Sequence, residues 1–411
     1  MPEEAAHIAP STQTLTPEEA ESYYFKINPA PPSLQEHHEL AKEFIDRHVQ
    51  TGRRLVLVTS GGTTVPLETQ TVRFVDNFSA GTRGATSAEY FLQEGYAVIF
   101  LHRQFSLLPY SRHFSHSTNC FLDFMDEGSS SSTASSSSGG NNNNNNDNDH
   151  GPIIVRSEYQ NEMRKVLRQY RYAKENNLLL VLPFVTVTEY LYELRSLANL
   201  MKPLGPNALF YLAAAVSDFF IPTDRMVEHK IQSSNEPVAN KEKKDQSKID
   251  SGISPDSIYT GFNDPKPPTH GKKLIIDLDP VPKFLHRLVD GWAPVGSMVV
   301  SFKLETDPDL LISKSEQALQ RYSHHLVIGN LLSTRKWEVV FVSRDKATGK
   351  FGLKWVRVPK SSTRMRKGSM AASGGGTHLQ PDVEIESLII PELKKAHSEM
   401  IQGPQSTQEA K

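Results

Sequence analysis

The run Leu55-Val56-Leu57-Val58-Thr59 is apolar and β-branched throughout, and it ends in the turn Ser60-Gly61-Gly62-Thr63. A second small-residue loop, Asp76-Asn77-Phe78-Ser79-Ala80-Gly81-Thr82-Arg83-Gly84, then opens a helical pattern over residues 85–93. A buried strand followed by two glycine-rich loops is a pattern that can bring backbone N–H groups to an anion. Glycine turns sharply and lets those groups approach without a Cβ in the way. A helix starting near Arg83 adds its unpaired N-terminal N–H groups and a fractional positive charge. Gly-Gly after a strand is also an ordinary tight turn. Neither loop fits G-x-x-x-x-G-K-[ST] or G-x-G-x-x-G, which argues against a P-loop and against an ordinary NAD site.

The alternation continues along the chain. Helical spacing over residues 33–49 precedes the first strand, and Gly95 closes the helix before a second apolar run at 96–101. An amphipathic helix at 159–176, a strand at 178–184 and a helix at 188–198 follow. Further buried strands are expected at 209–215, 298–304 and 325–328, with a helix at 308–322 between the last two. Residues 338–343 and 351–358 read as a hairpin, and 383–400 as a last helix. The expected fold class is α/β: a doubly wound, mostly parallel Rossmann-like sheet with right-handed crossovers, a C-terminal β-hairpin and disordered inserts.

Three tracts have almost nothing apolar to bury: the Ser/Asn run at 128–151, the Lys/Asp/Pro/Ser-rich stretch at 233–273, and 361–381. They are expected to be disordered. The implied organisation is a flexible tail over 1–32, one α/β domain over 33–360 carrying the first two tracts as inserts, a low-complexity loop over 361–381, and a C-terminal helix and tail over 382–411. About 300 residues remain to fold, which suits one large domain.

The net charge of −2 and the lack of a basic, aromatic-interleaved stripe argue against nucleic acid as a partner. No secretory signal opens the chain and no run of apolar residues is long enough to span a membrane. The single cysteine, Cys120, excludes an internal disulfide and suits a reducing cytoplasm; it reads as an incidental thiol rather than a nucleophile. His229, His324 and His325 lack metal-ligand spacing, so no protein-held metal is expected. Mg²⁺ carried on nucleotide phosphates needs no protein cage.

In an open α/β sheet the ligand lies beyond the carboxyl ends of the strands. That places Gly61, Ser217-Asp218, Phe302-Lys303-Leu304-Glu305-Thr306 and Asn330 along one edge. Asp218 can orient a substrate or hold a nucleotide hydroxyl, or serve as a helix cap or turn residue. Lys230 can neutralise a triphosphate or charge developing in acyl transfer, or be a solvated lysine. Asn330 is a ligand contact or an Asx turn. Asn77 offers a carboxylate both donors and acceptors without a charge of its own.

Ser60-Gly61-Gly62-Thr63, the segment Val72 through Gly81, Ala213-Ala214-Ala215-Val216-Ser217-Asp218-Phe219, Lys230-Ile231 and Phe302 through Thr306 occur in an order that resembles phosphopantothenoylcysteine synthetase (phosphopantothenate–cysteine ligase) in its eukaryotic stand-alone form. The resemblance covers most of residues 53–358 outside the inserts. It implies a ligase of coenzyme A biosynthesis that activates 4′-phosphopantothenate as an acyl-nucleotide with loss of pyrophosphate, and then forms an amide with L-cysteine. On the resemblance, Gly61, Ser79, Gly81 and Gly84 contact nucleotide phosphates, Phe302 and Asn330 the base and ribose. Asn77 holds the phosphopantothenate end and the acyl intermediate. Ala214, Ala215 and Asp218 bind substrate across a homodimer interface, and Lys230 is a flap lysine that assists the intermediate. It further implies ATP as the nucleotide, with CTP as the alternative, Mg²⁺ carried by that nucleotide, association with other coenzyme A pathway enzymes, and a cytoplasmic protein with the nucleus as a second compartment. The competing reading is a non-catalytic regulatory or scaffolding subunit that keeps the nucleotide fold. A third, an NAD(P)-dependent oxidoreductase, lacks the glycine fingerprint.

Overall fold

The structure is a computed structural model that describes residues 16–114, 121–128, 152–231, 269–270, 273–345, 348–359, 363–364, 380–381 and 383–402. Cys120 and nearly all of the three low-complexity tracts lie outside the described residues.

The apolar runs become the strands of one 8-stranded sheet: β1 (Leu55–Ser60), β2 (Ala97–Arg103), β3 (Leu179–Phe184), β4 (Ala208–Leu212), β5 (Met298–Glu305), β6 (Leu326–Leu331), β7 (Glu338–Arg344) and β8 (Phe351–Arg357), in the order β8-β7-β6-β5-β4-β1-β2-β3. Strands β1 to β6 run parallel, and β7 and β8 add an antiparallel hairpin at one edge. The order of the parallel strands is the doubly wound one, which reverses direction between β1 and β4. Every residue of β1 is buried, as a strand flanked on both sides and covered on both faces must be.

Alternate residues face opposite layers. Leu55, Leu57, Ile99, Leu101 and Phe210 pack with α2 (Leu34–Gln50) and α5 (Val187–Leu200). Val56, Val58, Val98, Phe100 and Tyr211 pack with α3 (Thr82–Gln93), α4 (Ser157–Glu175) and α7 (Glu386–Gln402). Helix α6 (Pro308–Tyr322) has its own small core against β6 and β7 through Leu311, Leu319, Val327 and Val340. The C-terminal helix is part of the domain core, with Ile389, Ile390 and Leu393 packed in the same cluster as Ala85, Ala88 and Phe91.

The tail expected over residues 1–32 is corrected from Thr16 onward. Pro17–Ile27 form helix α1, which starts with a capping box: the Glu19 N–H donates to Thr16 Oγ1 and the Thr16 N–H to the Glu19 carboxylate at 2.8 Å. Tyr24 anchors it, wholly buried against Phe220 and Phe284 with ring centroids at 4.8 and 5.2 Å. The strand expected over 209–215 ends at Leu212: Ala213 and Ala214 still bond to Thr59 of β1, and Ala215 and Ser217 bond to Gly61 and Thr63 beyond it. Asn330 lies within β6 rather than after it.

Two buried histidines make stability depend on pH. Burial pushes His397 down to about 4 against the Pro206 carbonyl that accepts from its Nε2, with Arg54 and His325 adding repulsion. Burial also pushes His324 down to about 4, helped by His325. Both folded-state values lie below that of an unfolded histidine, so between pH 6.5 and 4 the unfolded chain binds more protons. Stability is fully present above that window and is lost as pH falls through it. Each histidine is expected to cost on the order of 2 kcal/mol between pH 6.5 and 5. Urea unfolding at both pH values checks this, and His397→Phe should remove its share of the slope.

Candidate active site

Beyond the carboxyl ends of β1 and β4, where the strand order reverses, lies a cleft of about 760 Å³. One wall is the loop Ser79–Gly81 and the start of α3; the floor is 212–218 with Ser301–Leu304; the remaining sides come from α5, residues 281–285, Asn330 and Arg335.

Helix α3 begins open. Its N-cap is Gly81 at φ +80°, a conformation that side chains rarely adopt, with no side-chain cap and no acidic residue in the first turn. The Ala85 N–H is the first to find an intrahelical carbonyl, that of Gly81. The amides of Thr82, Arg83 and Gly84 are therefore available to an anion. Ser60 Oγ fixes the loop by donating to the Gly81 carbonyl at 3.0 Å.

A backbone ladder joins the expected substrate segments. The Ala215 N–H donates to Gly61 O at 2.8 Å and the Thr63 N–H to Ala215 O at 3.1 Å, while the Ser217 N–H donates to Thr63 Oγ1 at 2.9 Å. On the other side, the Asn77 N–H donates to Thr63 O at 3.1 Å. Gly62 sits between the two: a Cβ there would lie 1.7 Å from the Asn77 carbonyl oxygen.

Of the residues expected at the site, Ser79, Gly81, Ala214, Ala215, Asp218, Phe302 and Asn330 line the cleft. Phe302 stacks edge-on against Tyr211 at 5.0 Å. Asn330 is buried, and Asp218 is exposed. Gly61 and Gly84 are buried behind the lining, against Arg103 and Ser60. Asn77 is half-buried in the adjoining loop, next to the lining residues Phe78 and Ser79. Lys230 is exposed and does not line the cleft. Its segment runs alongside residues 68–70, with Thr69 and Gln70 N–H groups donating to Val227 O and Glu228 O at 2.9 and 3.0 Å. The Ile231 N–H donates to the buried carboxylate of Glu68 at 3.3 Å. Burial pushes Glu68 up, but the N–H groups of Arg73, Ile231 and Val72 and the Arg73 guanidinium outweigh it and hold the carboxyl below its usual range.

Four cations stand at the cleft: Lys303, which the sequence placed on this edge, and Arg83, Lys283 and Arg335, to which it gave no role. Arg83 donates to Glu386 Oε1 and to Arg335 O, both at 2.6 Å. Lys303 pairs with Glu305 at 3.4 Å, and Arg335 donates to Leu332 O at 2.6 Å. Lys283 follows the Lys-rich insertion, where no periodicity marks it. Tyr190 also lines the cleft; burial pushes its phenol up to about 12, with a bond to Thr59 pulling the other way, so it is neutral.

Fold and cleft together define a Rossmann-like protein whose glycine-rich loops and open α3 N-terminus meet at the topological switch point. No protein-family model matches the chain. It is 44% identical over 93% of its length to phosphopantothenate–cysteine ligase CAB2 of Saccharomyces cerevisiae, covering 87% of that protein. It is 36% identical to human phosphopantothenate–cysteine ligase, over 91% of this chain and 96% of that one. A solved structure of a Cab2 mutant in complex with phosphopantothenate-cysteine superposes with a TM-score of 0.68 at 43% identity, covering 93% of this chain and 98% of that one. The chain belongs to the phosphopantothenate–cysteine ligase family.

Proposed function

We propose that the chain joins 4′-phosphopantothenate to L-cysteine in coenzyme A biosynthesis, with ATP driving the reaction. The substrate carboxylate attacks the α-phosphorus, pyrophosphate leaves, and the cysteine amine then displaces AMP from the acyl carbon. Such a reaction needs alignment and charge screening rather than a protein nucleophile, and orientation can contribute about 7–11 kcal/mol. The observation that carries the reading is the ladder through Gly61, Thr63 and Ala215, which sets the glycine loop and the Ala214–Asp218 segment on one cleft.

In this reading Ser79, Gly81 and the open amides of α3, with Gly61 and Gly84 behind them, receive the phosphates. Phe302 and Asn330 take the base and ribose. The Asn77 amide orients the carboxylate, and Ala214, Ala215 and Asp218 hold the phosphopantothenate end in a homodimer. Mg²⁺ neutralises phosphate charge when carried in on the nucleotide. Because Lys230 stands outside the cleft, its part in stabilising the intermediate requires the 228–231 segment to close over it as a flap.

The test is to incubate the protein with phosphopantothenate, cysteine, Mg²⁺ and either ATP or CTP, following products by phosphorus NMR. AMP and pyrophosphate that depend on phosphopantothenate are expected. CMP would keep the reaction and reassign the nucleotide; release from neither would favour the non-catalytic reading.

A further inference from the structure

Lys283 belongs to none of the segments that carry the resemblance, yet it lines the cleft. Among the described residues it is the cleft cation whose side chain makes neither a hydrogen bond nor an ion pair, since those of Arg83, Lys303 and Arg335 are each engaged. A lysine on a disordered loop would say little. The wall that bears Lys283 is fixed on both sides.

Toward the floor, the Val281 N–H donates to the Asp218 carbonyl at 2.9 Å, and Asp279–Pro280 pair antiparallel with Phe219–Phe220. The wall is thereby the next rung of the ladder that begins at Asn77 and runs through Thr63 and Ala215. Away from the cleft, the Phe284 ring packs among Tyr24, Phe25 and Trp292 at 5.2, 5.4 and 5.6 Å. Arg287 donates to Glu21 at 2.5 Å and also to Glu18, and Trp292 Nε1 donates to Glu21 at 3.1 Å. Helix α1 is thus a strut behind the wall, and the side chain of Lys283 remains exposed on the cleft side.

An unneutralised ammonium held at a set place in a concave site selects for an anion, and for the compact charge of a phosphate in particular. We propose, resting on the ligase reading above, that Lys283 is a substrate-binding residue that takes a phosphate group in this cleft. That phosphate is either the polyphosphate of the nucleotide or the phosphomonoester of phosphopantothenate.

The experiment compares wild-type protein with Lys283→Met and Lys283→Arg, measuring KM for ATP, phosphopantothenate and cysteine separately, kcat, and the unfolding temperature. Loss of a charge-assisted bond is expected to raise KM for one phosphate-bearing substrate about 10-fold or more in Lys283→Met. KM for cysteine and the unfolding temperature should hold, and Lys283→Arg should restore most of the loss. A rise confined to ATP, with weaker calorimetric binding of pyrophosphate, identifies the polyphosphate; a rise confined to phosphopantothenate identifies the monoester. KM values within about twofold for both, with unchanged pyrophosphate binding, overturn the proposal. Should wild-type protein release no pyrophosphate, the ligase reading fails on its own, and calorimetric binding of ATP, pyrophosphate and phosphopantothenate to wild-type and Lys283→Met protein still decides the lysine's role.

Discussion

Gly62→Ala is expected to lower kcat/KM by about 10²-fold or more while leaving the sheet folded, because a displacement of roughly 1 Å among positioning groups has that effect. The new Cβ would stand 1.7 Å from the Asn77 carbonyl oxygen, 2.9 Å from its carbon and 3.2 Å from the Ser79 nitrogen. All three are backbone atoms, so no rotamer change relieves the clash. If residues 61–63 move, the bonds between Gly61, Thr63 and Ala215 stretch. If residues 76–79 move, Asn77 and Ser79 leave the cleft edge. Either way the phosphate loop and the Ala214–Asp218 segment lose register. Gly52→Ala is the control: its φ of +62° is adverse to a side chain, a strain that Gly62 does not share, but its Cβ would meet nothing. That variant should lose stability by about 1 kcal/mol and keep its kcat/KM. Wild-type kcat/KM in Gly62→Ala, with far-ultraviolet circular dichroism unchanged in both, would show that the ladder does not set the site.

The sheet was legible because its strands are unmixed apolar runs, and burial on both faces demands that pattern. The doubly wound, mostly parallel arrangement and the position of the cleft followed from the alternation with helices, and the hairpin from its turn. Helix α1 was passed over although Thr16-Pro17-Glu18-Glu19 carries a capping-box signature, because the stretch before it is polar and acidic. What fixes that helix is contact with Phe220 and Phe284, roughly 200 and 260 residues away, which no local pattern records. The wall at 281–285 was hidden for the same reason, following a long polar insertion and held by tertiary contacts. In the site, glycines and small residues were visible because backbone approach needs them. Lys303 was visible only through its place at a strand end, and Arg83, Lys283 and Arg335 were not, since a lysine or arginine has the same appearance in sequence whether it faces solvent or a cleft.

Asn77→Ala is expected to lower kcat by about 10²–10³-fold, the usual effect of removing one preorganised hydrogen-bonding group from the reacting centre. The fold should be indifferent to the change. The bond that holds this loop to Thr63 comes from the Asn77 main chain, and among the described residues its side chain makes no hydrogen bond that alanine would break. The half-buried amide is thus free to serve a ligand, and in the proposed reaction that ligand is the carboxylate being activated. Asn77→Asp sharpens the test, because a carboxylate beside a carboxylate repels it and should lower activity at least as far as alanine does. Single-turnover pyrophosphate release without cysteine then locates the step. If Asn77 orients the attacking carboxylate, Asn77→Ala slows pyrophosphate release as much as overall product formation, with KM for ATP little changed. Normal release followed by no product would move Asn77 to the amide-forming half of the reaction. Near-normal rates in both halves would remove it from the site, and would leave the ladder that places its backbone as a scaffold for Ser79 alone.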